Sequence, residues 1–199
     1  MRVEPVGVDQ LDADGLDLYK TITGPRSGRL DGPFQVWLKA NPALASRMND
    51  VGALLRGAGN LDKRLLETAV LCVARFWDTR YQWTAHAPLA LELGISQESI
   101  DDIGRGLRPR SAPADEQAVY DLSMSLLERH RIPEHLYEPV LTQIGFGDMV
   151  ELITVIGQYS LAAIVSNGFE IDPPPGGPPL PERGQEPNRR HRLQQNKLR

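Results

Sequence analysis

The sequence predicts an all-α protein, a single helical bundle, on three observations. Apolar residues recur at three- and four-residue intervals in segment after segment. Each segment is bracketed by cap and stop residues: Asn41-Pro42 and Ser96 at starts, Gly57-Ala-Gly59 and Gly94 at ends. No stretch alternates apolar and polar residues with β-branched enrichment between turn signals, so no sheet is expected.

The elements follow in order. Residues 1–32 are rich in Gly, Asp and Pro, with one short periodic piece around Leu11 to Ile22. Asn41 caps a helix carrying Leu44, Met48, Val51 and Leu55. Asp62 opens the next, through Leu65, Leu66, Ala69, Val70 and Val73. A third runs from Thr79 to about Leu93, with Pro88 inside it as a kink. Ser96 starts a short helix with Ile100 and Ile103 inward, and Pro113 opens one with Val119, Leu122, Leu126 and Leu127. Pro133 opens a short helix, and a last one spans about Asp148 to Gly168. This last is the most apolar and is the expected centre of the bundle. About seven helices result, joined by short loops that imply antiparallel neighbours.

Residues 1–172 therefore form one domain, followed by a tail, 173–199, expected to be extended or disordered. Seven of the sixteen prolines lie in 171–199, and Pro173-Pro-Pro-Gly-Gly-Pro-Pro179 cannot propagate a helix. A polyproline stretch of this kind can lie along a neighbouring surface.

Charge and cysteine content narrow the function. The net charge is −4, but residues 182–199 hold six Lys/Arg against two Glu, which leaves the body at −8. An acidic body argues against a nucleic-acid or acidic-lipid surface. A single cysteine, Cys72 in the run Ala69–Ala74, excludes an internal disulfide and is read as a small buried side chain. No metal site is expected. The run Met149–Val165 is interrupted by Glu151, Gln158 and Tyr159, which suits a core helix better than a membrane span. The amino terminus shows no basic-then-apolar leader pattern, so a cytoplasmic location is expected.

Of the four histidines, His130 and His135 flank a turn and His191 is in the tail. His86 lies inside the third helix, in Tyr81-Gln-Trp-Thr-Ala-His86-Ala-Pro88. Helical spacing groups it with Thr79, Gln82 and Trp83 on one polar-aromatic face. On the preceding helix, Glu67 sits among Lys63, Val70, Leu71 and Ala74, either on the surface or half-buried beside a partner. If the two helices are antiparallel, Glu67 and His86 can meet.

The stretch 32–103 resembles the carboxymuconolactone decarboxylase family, which includes the alkyl-hydroperoxidase-D-like reductases. The resemblance rests on Leu61-Asp-Lys-Arg64-Leu-Leu-Glu67-Thr-Ala-Val70, Val73-Ala-Arg75, Tyr81 to Ala90 and Gly94-Ile-Ser96. Phe146-Gly-Asp-Met-Val-Glu151 through Gly157-Gln-Tyr159 is similar to the last core helix of longer members. In the reductase branch a Glu precedes a Cys-x-x-Cys pair, and a His follows after three intervening residues. That pattern implies a relay acid at Glu67 and a relay base at His86, with the thiol positions falling on Thr79 and Gln82. The relay is kept and the thiols are absent, and Thr and Gln cannot replace a thiolate.

The resemblance to the thiol-free decarboxylase branch implies a cofactor-independent enzyme acting on an unsaturated carboxylic acid or lactone. His86 would deliver a proton and Glu67 would assist it. Arg64, Arg75 or Arg80 would hold a carboxylate, in a pocket with Tyr81, Gln82, Trp83 and Thr79. Gln82 departs from this branch, where many members carry Glu. The resemblance also implies a homo-oligomer, a trimer or hexamer. A non-catalytic oligomeric binding protein of the same fold is the alternative.

Overall fold

The structure, a computed structural model, describes residues 1–184 apart from Pro5 and Ser27; the basic end from 185 onward, with His191, lies outside the described residues. Among the described residues there are eight α-helices and no strand. They are α1 Ala13–Thr23, α2 Phe34–Ala40, α3 Pro42–Ala53, α4 Lys63–Phe76, α5 Arg80–Glu92, α6 Gln97–Gly104, α7 Ala114–Arg129 and α8 Glu134–Gly168.

The starts are where the cap residues put them. Asn41 accepts from Leu44 N, Asp62 from Arg64 N, and Ser96 from Ser99 N. These bonds satisfy amide donors that a helix leaves open at its first turn. Two differences from the sequence reading stand out. Residues 34–40 form α2, a helix too short to show a period; Phe34 and Trp37 are both buried and meet edge to face, with centroids 5.1 Å apart. The sixth and seventh expected helices run on as α8, broken only at Gly145, where φ is 80° and ψ 170°. That conformation is closed to side chains bearing Cβ, so a glycine sits at the break.

The centre of the bundle is α4, not α8. Every residue from Leu65 to Arg75 is buried, so α4 is enclosed on all sides. Ala69, Cys72 and Ala74 let α5, α7 and α8 approach closely. One side of α4 packs with α7 and α8 through Leu66, Val70, Val73, Leu122, Leu152 and Ile156. The other packs with α5 and α6 through Leu71, Cys72, Trp83, Ala87, Ile100 and Ile103. A third cluster joins Ile22, Phe34, Trp37 and Leu38 to Ala162 and Val165 of α8. By length and composition α8 satisfies what a membrane crossing requires. It buries one face, including Met149, Val155, Tyr159 and Ala163, and leaves Phe146, Val150, Leu161 and Ile164 exposed.

The proline-rich segment 173–184 is a strap on the chain's own body. Pro88 has no amide proton to give to the Thr84 carbonyl one turn earlier. The strap crosses at that point: Gly177 packs against the Thr84 carbonyl, and Thr84 Oγ1 donates to Pro178 O at 3.0 Å. Arg75 Nη1 donates to Pro181 O at 2.7 Å, and Gly184 N to Arg105 O at 2.8 Å.

Candidate active site

The connection between α4 and α5 builds the site. Asp78 adopts a left-handed φ of 52°, and the Asp78 and Thr79 amides donate back to the carbonyls of Arg75 and Ala74. This tight reversal sets α5 antiparallel against α4. Glu67, near the start of α4, then faces His86, in the second half of α5.

Glu67 Oε2 lies 2.8 Å from His86 Nδ1. The Glu67 side chain is 6% exposed and that of His86 13%. With Glu67 as the carboxylate, Nδ1 donates to it, and Nε2 is the nitrogen left for a reacting molecule. The imidazole is held on its other side by Tyr159 of α8, edge to face at 5.1 Å and 85°. Gln82, one turn before His86, donates from Nε2 to Tyr159 O at 2.8 Å, which fixes α5 against α8. Thr79 Oγ1 and Gln82 Oε1 are buried with no hydrogen-bond partner among the described residues. Thr79 is the cap residue of α5 and Gln82 lies one turn before His86 on the same helix.

The remaining candidates are distributed more widely than one helical face suggests. Trp83 is 2% exposed and turns the other way, into the core with Leu71, Ile95 and Ile103. A Cβ on Gly104 would lie 2.7 Å from its ring. Tyr81 is half-buried with its ring over Gly32. Arg64 donates to Asp115 and, at 2.6 Å, to Glu116 Oε1, tying α4 to α7. The Arg64 bond holds the Asp115 carboxyl below the usual carboxylate range and raises the Arg64 guanidinium further. Arg75 donates to Asp78, Gly104 O and Pro181 O. Arg80 is exposed on the first turn of α5, and its side chain has no hydrogen bond or ion pair among the described residues. Cys72 is fully buried and desolvation pushes its thiol well up, so it is no nucleophile in the folded chain.

The sequence reading did not count Tyr159 among the site residues. Its signal was present, a tyrosine beside Gln158 in an otherwise apolar helix, but only the packing of α8 on α5 gives it a partner. Among the described residues no group of three His, Cys, Asp or Glu could hold a metal.

No protein-family model matches this sequence, and no curated protein matches it. Solved structures do. The chain superposes on the alkylhydroperoxidase AhpD core of an uncharacterized peroxidase-related protein from Ralstonia eutropha JMP134, with a TM-score of 0.73 and 16% identity, over 87% of this chain and 92% of that one. An uncharacterized peroxidase-related protein from Silicibacter sp. TM1040 matches with a TM-score of 0.69 and 17% identity, over 87% and 94%. This chain has the all-α fold of the alkylhydroperoxidase AhpD core, and carries it without a Cys-x-x-Cys pair.

Proposed function

We propose that this protein is a cofactor-independent enzyme that transfers a proton on a small unsaturated carboxylic acid or lactone, with His86 as acid–base and Glu67 as its partner. The observation that carries the proposal is the 2.8 Å bond between Glu67 Oε2 and His86 Nδ1 in a nearly buried setting. A carboxylate on one imidazole nitrogen fixes the tautomer and leaves the other nitrogen directed at a substrate. Tyr159 and Gln82 keep that geometry rigid, which acid–base catalysis requires.

The bond changes balance without a further reactant. In a carboxy-lactone the bond from ring carbon to carboxylate breaks, carbon dioxide leaves, and the electron pair passes into the unsaturated lactone as an enolate. The doubly protonated imidazole, its Nδ1–H on Glu67, then gives its Nε2 proton to carbon, and solvent restores that proton. Arg64 and Arg75 are bound to Asp115, Glu116 and Asp78, so Arg80 is the cation of the three left to meet a carboxylate. That commitment of two arginines is the observation favouring the second reading, a non-catalytic oligomeric binding protein.

The deciding experiment is a panel of unsaturated acids and carboxy-lactones incubated in deuterium oxide. Carbon dioxide release and carbon-bound deuterium are followed by NMR. Exchange or release that depends on His86 supports the enzyme. Tight binding of a panel member without either signal moves the weight to the binding protein.

A further inference from the structure

α8 continues directly into the strap, and the two hold α5 from different sides. Tyr159 of α8 stands edge to face on the His86 ring. Thr84, two residues earlier and so roughly 200° round the helix, meets the strap instead. Thr84 is 5% exposed and donates from Oγ1 to Pro178 O at 3.0 Å. Leu180 packs on the cluster that contains Trp83 and Ala87, which bracket Thr84 and His86 in sequence. The approach is close enough to depend on glycine. A Cβ on Gly177 would lie 2.4 Å from Thr84 Cγ2 and 2.9 Å from the Thr84 carbonyl oxygen.

Beyond α5 the strap is pinned at two further places. Arg183 Nη2 donates to Arg75 O at 3.0 Å and to Asp78 Oδ1 at 2.7 Å, so it closes on the α4–α5 reversal. Gly184 N donates to Arg105 O at 2.8 Å, at the end of α6. The turn of α5 under the strap is the one that the sequence makes weakest. Pro88 has no amide proton for the Thr84 carbonyl, so the turn from 84 to 88, which carries His86, lacks one of its helical hydrogen bonds. The strap braces that turn by contact on the side away from Tyr159.

We propose that the strap is a splint for this turn, with Thr84 and Gly177 as positioning residues that hold His86 in register with Glu67. They act through the backbone of α5. With the strap docked, the turn is fixed and Nδ1 keeps its 2.8 Å bond to Glu67 Oε2. With the strap lifted, the turn that Pro88 weakens relaxes and the imidazole is no longer held to one tautomer. The effect on turnover rests on the acid–base reading of the dyad, whereas the effect on the imidazole does not.

The test uses the full chain. Nitrogen chemical shifts of the His86 ring, read on the neutral imidazole, report which nitrogen carries the proton. Hydrogen exchange of the Gly184 amide reports whether the strap is docked. Gly177→Val should speed that exchange and turn a single Nδ1–H tautomer into a mixture of two. On a substrate from the panel kcat should fall about 10-fold or more with KM little changed, since misplacing a reacting group by about 1 Å can cost about 100-fold. Pro88→Ala returns a donor to the Thr84 carbonyl, so Gly177→Val in that background should keep the wild-type tautomer. A role in stability alone would lower the unfolding midpoint and leave the tautomer as it is. An unchanged tautomer in Gly177→Val overturns the proposal, whether or not the Gly184 amide is freed. So does a mixture that persists in the Pro88→Ala background. Should Gly177→Val not fold, Thr84→Val, which keeps the shape and loses the hydroxyl, is read against Thr84→Ser, which keeps the hydroxyl. A mixture in Thr84→Val alone supports the splint, and the same tautomer in both overturns it. An altered tautomer with no turnover by any form of the chain sinks the reaction and leaves the splint standing.

Discussion

Glu67 on α4 and His86 on α5, nineteen residues apart in sequence, share a 2.8 Å hydrogen bond that leaves the imidazole Nε2 as the group available for chemistry. His86→Gln keeps hydrogen-bonding capacity but removes the titrating ring. Turnover on a substrate found in the panel should fall about 100-fold or more, the usual worth of acid–base catalysis. Glu67→Gln should fall less if the acid only orients the ring, and equally if it relays the proton. Thr79→Ala should change turnover little. Steady-state kinetics, with circular dichroism confirming the fold, compares the three; near-normal turnover in His86→Gln ends the proton-transfer reading.

Arg64 ties α4 to α7 through Asp115 and Glu116, and the two acids are not equivalent. The Glu116 side chain is 3% exposed, whereas that of Asp115 is 20% exposed. Arg64→Leu leaves Glu116 buried without its cation and should cost about 3 kcal/mol, as broken buried pairs do. Asp115→Asn should cost about 1 kcal/mol. The Asp115 carboxyl is held below its ordinary value, chiefly by the Arg64 bond. Its contribution is present above roughly pH 4, the ordinary aspartate range, and is lost as acid protonates the folded carboxyl. Urea unfolding at neutral pH should separate wild type from Asp115→Asn, and the gap should narrow towards pH 3. A gap that widens in acid contradicts this.

Phe146, Val150, Ile153, Gly157, Leu161 and Ile164 repeat at intervals of four and three residues along one side of α8, and no charged residue lies between Glu151 and Glu170. Of these, Phe146, Val150, Leu161 and Ile164 are exposed. An uncharged apolar stripe of this length suits a helix of another copy. Light scattering at micromolar concentration should report a trimer or hexamer, and Ile164→Glu should shift it towards smaller species. A monomeric wild type would count against assembly through α8.

Cys72 is fully buried and its thiol is pushed up by desolvation. In the native chain it should react with a bulky aromatic disulfide reagent far more slowly than in urea, because the thiolate is the reactive form. Cys72→Ala should leave activity at the dyad unchanged and cost on the order of 1 kcal/mol of stability. Loss of turnover in a folded Cys72→Ala would give the thiol a role in the chemistry.

Helical class and most helix starts are legible segment by segment, and the family resemblance is what singles out Glu67 and His86 as a pair. Caps act on neighbouring amides, periodicity is local, and the spacing of Glu67, Thr79, Gln82 and His86 is written in the chain. Three features belong to the tertiary structure. The enclosed helix is α4 because its small residues admit neighbours on every side, although α8 is the more apolar by composition. Arg64 and Arg75 look like ligands for an acid until Asp115, Glu116, Gly104 O and Pro181 O reach them from 29 to 106 residues away, and Asp78 from the next turn. The segment 173–184 carries only the polyproline signal of an extended arm, and lies on its own body because Thr84 Oγ1 and Arg75 Nη1 donate to its carbonyls and Gly184 N to Arg105 O. Local hydrogen bonding and spacing are legible one residue at a time. Which side chain meets a buried charge depends on distant chain brought alongside it, because burial makes an unmet partner costly.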